Sequence, residues 1–256
     1  MDESDCVVIT GGTGKLGRIL VEGLAQHGYT VCFTSRVTRP LRETFPGIAS
    51  SVSRNRVLGM ALDLTAPDAA DKLTDFLEAE GLTPTCLVNN ARDTNYLRVD
   101  GNGMPSLEGW SGEFRLDVVV PYQLSMTLAT QDGGRLRSIV NIASMYGVVA
   151  ANPSLYEDPQ RDSPIHYGVI KAALIHLTKE LAVRLASRGV RANSISYGGV
   201  EGRVNDAFKA RYGELCPSGC MLNDEDILGP VEFLASAASS GVTGHNLVVD
   251  GGWTTW

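Results

Sequence analysis

At 256 residues, with 43% hydrophobic and 20% charged side chains, the chain is long enough to bury an α/β core and too apolar for disorder. A net charge of −7 speaks against a basic, phosphate-tracking face, so nucleic acid is not an expected partner. No apolar run approaches the ~18 residues of a membrane span, and the acidic start Met1-Asp-Glu-Ser-Asp5 is unlike a signal peptide, so a cytoplasmic protein is expected.

In chain order, short β-branched runs alternate with helical stretches. Strands are expected over 6–10, 30–34, 57–62, 86–89, 138–143, 191–196 and 246–249. Their nearly continuous apolar character fits strands buried on both faces, hence a doubly wound parallel sheet with helices on either side. Helices are expected over 18–27 and 166–188, where apolar residues recur at spacings of three and four, with Gly28 and Gly189 ending them. No repeat or linker interrupts the pattern, so residues 1–256 read as one domain. The segments 92–107, 148–165 and 200–226 each follow a strand's carboxyl end, the edge where open α/β sheets bind ligands. Five cysteines are scattered along the chain; only Cys216 and Cys220 are close together, without a second pair, and no metal site is expected.

The first strand runs into Thr10-Gly11-Gly12-Thr13-Gly14-Lys15-Leu16-Gly17, which opens the first helix. Glycines at 11, 14 and 17 let backbone approach a pyrophosphate at a helix N-terminus, so this turn is read as a dinucleotide site. Past the second strand stand Ser35 and Arg36 rather than a carboxylate. A hydroxyl beside a guanidinium suits a 2′-phosphate, which favours NADP(H) over NAD(H); the alternative is a solvated loop arginine. Arg39 and Lys15 would add positive charge. Asp63, with Leu64 after it, is a candidate for the adenine edge, or else caps a helix starting near Pro67.

Tyr167 and Lys171 stand four apart on one helix face, so an ammonium lies beside a phenol and lowers the cost of phenolate. Ser144 follows the 138–143 strand at the same sheet edge. The two oxygens are separated by 23 positions, and the intervening 146–166 stretch carries Asn152, Tyr156, Glu157, Asp158, Arg161 and Asp162 between prolines 153, 159 and 164. A regular helix is disfavoured there, and the reading is a substrate-facing loop, the alternative being a solvated insertion. The 200–226 segment, with Arg203, Lys209 and Arg211, would form the second wall.

The motifs Thr10–Gly17, Asn89-Asn90-Ala91, Asn141–Ser144, Tyr167–Lys171, Asn193–Val200 and Asn246–Trp253, in this order, resemble the short-chain dehydrogenase/reductase family over essentially the whole chain. The resemblance implies a Rossmann-type seven-stranded sheet and hydride transfer between a nicotinamide and a secondary alcohol or ketone. It implies that Tyr167 passes the proton, Ser144 holds the substrate oxygen, and Lys171 lowers the tyrosine pKa and binds the ribose. Asn89, Asn90 and Ala91 would support the cofactor edge, and Gly198 and Val200 the carboxamide. A tetramer or dimer is implied as well. More narrowly, Tyr146-Gly-Val-Val149 and the Asp250-Gly-Gly-Trp-Thr254 tail are similar to oxidoreductases of bacterial flagellin-glycan and nonulosonic-acid clusters, implying a sugar-like substrate. An epimerase or dehydratase on the same scaffold, or a silent cofactor-binding regulator, are the competing readings. Three positions depart from the family pattern. Lys15 stands where a second glycine is common, Tyr197 where proline is usual, which is expected to loosen the loop over the nicotinamide, and Asp117 in place of the asparagine that completes the catalytic tetrad. A carboxylate at 117 is expected to raise the Lys171 pKa.

Overall fold

The structure, a computed structural model, describes residues 5–37, 41–45, 48, 57–202 and 204–256; Arg39 and Arg203, expected above to add positive charge, lie outside these. Seven strands form one parallel sheet in the order β3-β2-β1-β4-β5-β6-β7. They are β1 (Cys6–Ile9), β2 (Thr30–Ser35), β3 (Val57–Ala61), β4 (Cys86–Asn89), β5 (Ser138–Ser144), β6 (Arg191–Tyr197) and β7 (Asn246–Val249). The direction of strand addition reverses between β1 and β4, and a crevice opens there at the carboxyl edge. The helices are α1 (Lys15–Gln26), the short α2 (Leu41–Thr44), α3 (Ala69–Ala79), α4 (Leu107–Phe114), α5 (Val120–Thr130), the one-turn α6 (Pro159–Asp162), α7 (Ile165–Leu185), α8 (Asp206–Leu215) and α9 (Glu225–Ala235).

Alternate residues of each buried strand feed two cores. Val7, Ile9, Val31 and Phe33 pack with Leu20, Leu24, Ile227 and Val231 of α1 and α9. Val8, Leu87 and Ile139 face the other way, against Leu73, Leu77, Leu124 and Leu181. Each fully buried leucine contributes about 2 kcal/mol relative to exposure. No helix among the described residues is long and apolar enough to cross a membrane.

The expected strands are all present, with ends displaced by one residue for local reasons. β1 stops at Ile9 because Thr10 turns its hydroxyl to accept from the Asn90 and Ala91 N–H groups, at 2.9 and 3.0 Å. β5 and β6 run on to Ser144 and Tyr197, which pair with each other. α1 begins at Lys15 rather than Arg18, since extended Gly14 already accepts the Arg18 N–H at 2.9 Å. Gly28 and Gly189 adopt positive φ (98° and 71°) where their helices end.

Candidate active site and cofactor cleft

The glycine turn is shaped by close backbone approaches. A Cβ on Gly11, which has φ 67°, would lie 2.7 Å from Ala91 Cα; one on Gly17 would lie 2.2 Å from the Gly11 carbonyl oxygen. The Asn90 amide donates to the Thr10 and Gly11 carbonyls at 2.9 and 3.2 Å, tying the turn to the end of β4. The turn floors a cavity of about 620 Å³ that runs along the carboxyl edge from Ser35 and Arg36 to Tyr167 and Lys171. A bare backbone cradle at a helix N-terminus, followed by a long cleft, is what a dinucleotide requires. The residues present fit one.

At the far end of the cleft the Ser35 hydroxyl donates to Val37 O at 2.8 Å and lies 3.1 Å from Thr13 Oγ1, so it serves the fold rather than facing outward. Arg36 stays exposed and pairs with Asp93. Asp63 does not cap a helix near Pro67: α3 begins at Ala69 with Asp68 at its cap. Instead Asp63 lines the cleft and accepts from both Oγ1 and N of Thr65, at 2.7 and 2.9 Å, which hold its carboxyl below the usual carboxylate range. A carboxylate and threonine two apart close an Asx turn, and that local bond outcompetes capping.

The other end of the cleft is built on α7. Asn89 donates to Asn141 Oδ1 at 2.8 Å, Asn141 donates to Thr178 Oγ1 at 2.9 Å, and Thr178 donates to Leu174 O. This buried chain of polar groups fixes the rotation of α7 against the sheet. Gly168 has no side chain, so the Tyr146 carbonyl packs where its Cβ would lie, 2.8 Å away. Tyr167 and Lys171 thereby face the cleft, with Lys171 Nζ 5.8 Å from the tyrosine ring centroid and donating to Ile142 O at 3.1 Å.

Asp117 meets Lys171 directly. Its Oδ2 lies 2.6 Å from Nζ, as an ion pair between side chains only 1% and 7% exposed. Burial works against the charged form of the lysine, but the Asp117 carboxylate, then Tyr167, hold the ammonium above the ordinary lysine range. Pro121 has no N–H to offer the Asp117 carbonyl four residues back, and the chain relaxes into a π turn over Arg115–Val119, in which Val120 N reaches Arg115 O. A cavity of about 10 Å³, the room of one water, is lined by Asn89, Asp117, Pro121 and Lys171 among others. Ser144, at the end of β5, is 7% exposed and its Oγ accepts from Tyr146 N at 3.2 Å, which leaves the hydroxyl proton to give.

The cleft thus gathers Gly11, Thr13, Gly14, Lys15, Leu16, Gly17, Ser35, Arg36, Asp63, Leu64, Asn90, Ala91, Tyr167 and Lys171. Thr10, Asn89 and Asp117 line the small cavity next to Lys171 instead, and Ser144, Gly198 and Val200 are not among the residues lining the cleft. Gly198 N donates to Val249 O at 2.8 Å, and Val200 bridges Leu222. Lys15 lies 3.6 Å from Asp224. Tyr197 does not loosen this region: its hydroxyl donates to Ile227 O from inside the core. Sequence reasoning missed Arg92, whose guanidinium lies over the Tyr167 ring, 4.7 Å from the centroid. Its position immediately after Asn89-Asn90-Ala91 was the available signal.

The 146–166 stretch folds as short turns. Leu155 is fully buried with Tyr212, Cys216, Met221 and Trp253, and Tyr156 packs edge-on against Phe208 of α8 at 5.7 Å. Arg211 donates to Leu155 O at 2.8 Å and pairs with Glu157, while Arg161 bonds Gly101 O. Asp158 caps α6. The stretch therefore spans from the 92–107 segment to α8, and much of its charge is used internally.

A parallel sheet with its switch point over a glycine cradle, and a Tyr–Lys pair at the other end of the cleft, define a dinucleotide-dependent oxidoreductase class. Residues 14–254 match the family model described as enoyl-(acyl carrier protein) reductase. The chain belongs to the short-chain dehydrogenase/reductase family. It is 26% identical to post-translational flagellin modification protein A of Campylobacter coli, over 99% of both chains. It is 28% identical to the 3-oxoacyl-[acyl-carrier-protein] reductase of Aquifex aeolicus, over 96% of this chain and 95% of the other. Among solved structures, a short-chain dehydrogenase from Leptospira borgpetersenii with bound NAD+ superposes with TM-score 0.83 at 29% identity, covering 98% of this chain and 93% of that one. One from Mycobacterium marinum gives 0.82 at 28%, covering 98% and 95%.

Proposed function

We propose that the protein, acting as one domain over residues 1–256, is an NADP(H)-dependent reductase or dehydrogenase that interconverts a secondary alcohol and a ketone on a polar, sugar-like substrate. The carrying observation is that Tyr167 and a buried, charged Lys171 line the same cleft as the glycine cradle. The nicotinamide, when bound, supplies or accepts the hydride. Tyr167 gives or takes the proton at its hydroxyl, Lys171 lowers the cost of phenolate, and the Ser144 hydroxyl holds the substrate oxygen. Arg92 favours a substrate with an anionic or hydroxyl-rich flank: it is exposed, lines the cleft at Tyr167, and has no carboxylate partner among the described residues. The other cleft cations, Lys15, Arg36 and Lys171, each face one. Ile165, Val169 and Val183 on α7, with Phe114 and Tyr122, expose apolar side chains, and a homo-oligomer is part of this reading. The test is cofactor consumption with ketoses, keto-sugars and simple ketones. Net NADPH oxidation supports the proposal, while isomerised product without consumption, or binding without turnover, overturns it.

The cofactor preference rests on Arg36 and on the absence of a carboxylate at the end of β2. Because Asp93 already engages Arg36, the 2′-phosphate must share that guanidinium. NADPH is expected to bind about tenfold more tightly than NADH, the worth of one charge-assisted hydrogen bond. Ser35→Asp with Arg36→Ile should invert the order in a fluorescence titration; tighter NADH binding by the unmodified protein refutes the preference.

The 146–166 stretch is proposed as one wall of the substrate pocket, with α8 as the other. Replacing 152–162 by a brief Gly-containing turn should leave cofactor affinity within about twofold while kcat/KM falls by about a hundredfold or more. Unchanged kcat/KM would make the stretch a bystander.

A further inference from the structure

Glu113 is a buried acid that the chemistry above does not use. It lies on α4, four residues before Asp117, and is 0% exposed. Neither carboxyl oxygen has a hydrogen-bond partner among the described residues. α4 is otherwise ordinary, with Ser106 capping it at Gly109 N and Leu107 exposed. A carboxylate placed in such surroundings without a donor is destabilising, and an apolar side chain would fill the space without that cost. A buried acid in this position therefore calls for a reason beyond packing.

The groups around it supply one. Asp117 follows on the π turn, and the charges of Lys171 on α7 and of Arg92 and Asp93 after β4 act on its carboxyl. Around α4 lie also His166, tilted against Trp110 at 5.4 Å with Nε2 2.9 Å from Tyr96 O, Tyr96 itself, whose ring packs on Gly112, and the charged Glu108 and Arg115 at the two ends of the helix. Burial, and after it the Asp117 charge, pushes the Glu113 carboxyl up to about 7, against the pull of Lys171 and Arg92. Lys171 is already matched by Asp117. A second negative charge at Glu113 leaves this buried group one cation short.

We propose that Glu113 is a positioning residue for proton transfer: by taking up or releasing one proton to water it sets whether one carboxylate or two oppose Lys171, and so how well that ammonium supports charge on Tyr167. With Glu113 protonated, Lys171 has charge to spare for the phenolate that alcohol oxidation needs. With Glu113 ionised, phenolate is disfavoured and Tyr167 keeps its proton for carbonyl reduction. The site's oxidative and reductive directions are weighted by pH through a residue that touches neither substrate nor cofactor.

This inference rests on Tyr167 and Lys171 carrying the proton transfer, a reading that fails separately if Tyr167→Phe retains turnover. Glu113→Gln keeps the shape and removes the charge. With the ketone best reduced in the panel above, and its alcohol, the rise of oxidation and the fall of reduction with pH should both move down by about one unit. Glu113→Leu should shift the same way, since charge and not hydrogen bonding is at issue, and Glu113→Asp should restore part of the wild-type profile. Superimposable profiles for wild type, Gln and Leu overturn the proposal. A measurement independent of any variant is infrared difference spectroscopy of the wild-type protein carrying isotope-labelled glutamate. A protonated glutamate stretch that disappears with a midpoint near 7 is expected, and its absence at any pH where the protein is folded overturns the proposal too.

Discussion

Tyr167→Phe should reduce turnover by about a thousandfold or more while cofactor affinity and thermal stability stay nearly unchanged. Only the hydroxyl is removed. The ring keeps its place under Arg92, and the polar chain from Asn89 through Asn141 to Thr178, which orients α7, is untouched. Lys171→Met behaves differently because it strips a buried carboxylate of its ion partner. Asp117 would be left without its cation at 1% exposure, and loss of one member of such a pair costs about 3–5 kcal/mol. Lys171→Met should therefore lose turnover, weaken cofactor binding and lower the melting temperature together. Adding Asp117→Asn should return most of the stability without returning the rate. Steady-state kinetics beside thermal melts separate the two effects; a Tyr167→Phe protein with more than about a tenth of wild-type rate would sink the assignment.

The sheet, the glycine turn and the Tyr–Lys pair were legible because each is written in adjacent residues. Buried parallel strands leave continuous apolar runs, a pyrophosphate cradle needs glycines in series, and a helix face repeats every four residues. What failed to show depends on residues distant in sequence. Asp63 read equally well as a helix cap until Thr65 was seen to hold it. Tyr197 looked like a loosened loop because nothing in the sequence places its hydroxyl at Ile227 O, thirty residues on. Glu113, in Leu-Glu-Gly-Trp-Ser-Gly-Glu-Phe, is indistinguishable from a solvated helix acid, and only the packing of α4 on its neighbours, the Thr94–Leu97 turn and α7 among them, buries it. The charges of the 146–166 stretch suggested a ligand-facing surface. In the fold Asp158 caps a helix turn and Glu157 pairs with Arg211, so local satisfaction takes much of the charge the sequence offered.

Gly17→Ala is the substitution expected to do most damage for one carbon. Elsewhere in a helix this exchange stabilises by restricting the unfolded chain. At position 17 the new Cβ would lie 2.2 Å from the Gly11 carbonyl oxygen and 2.8 Å from Gly12 Cα, and these are backbone atoms that cannot rotate away. Either α1 lifts from the turn or the turn opens. Lifting α1 loosens Leu20, Val21 and Leu24 from the core they share with β1 and β2. Opening the turn breaks the Asn90 amide bonds to the Thr10 and Gly11 carbonyls and turns away the N–H groups that would face a pyrophosphate. Either route should weaken NADPH binding by about a hundredfold or more and cost about 1–3 kcal/mol of stability. Gly28→Ala is the matched control: no atom lies within 4 Å of a Cβ there, so only the strain of its φ of 98° is added, far from the cleft. It should lower the melting temperature while leaving cofactor affinity intact. If Gly17→Ala binds NADPH as the unmodified protein does, the glycine turn is not the pyrophosphate cradle, and the cofactor's place along the cleft must be reassigned.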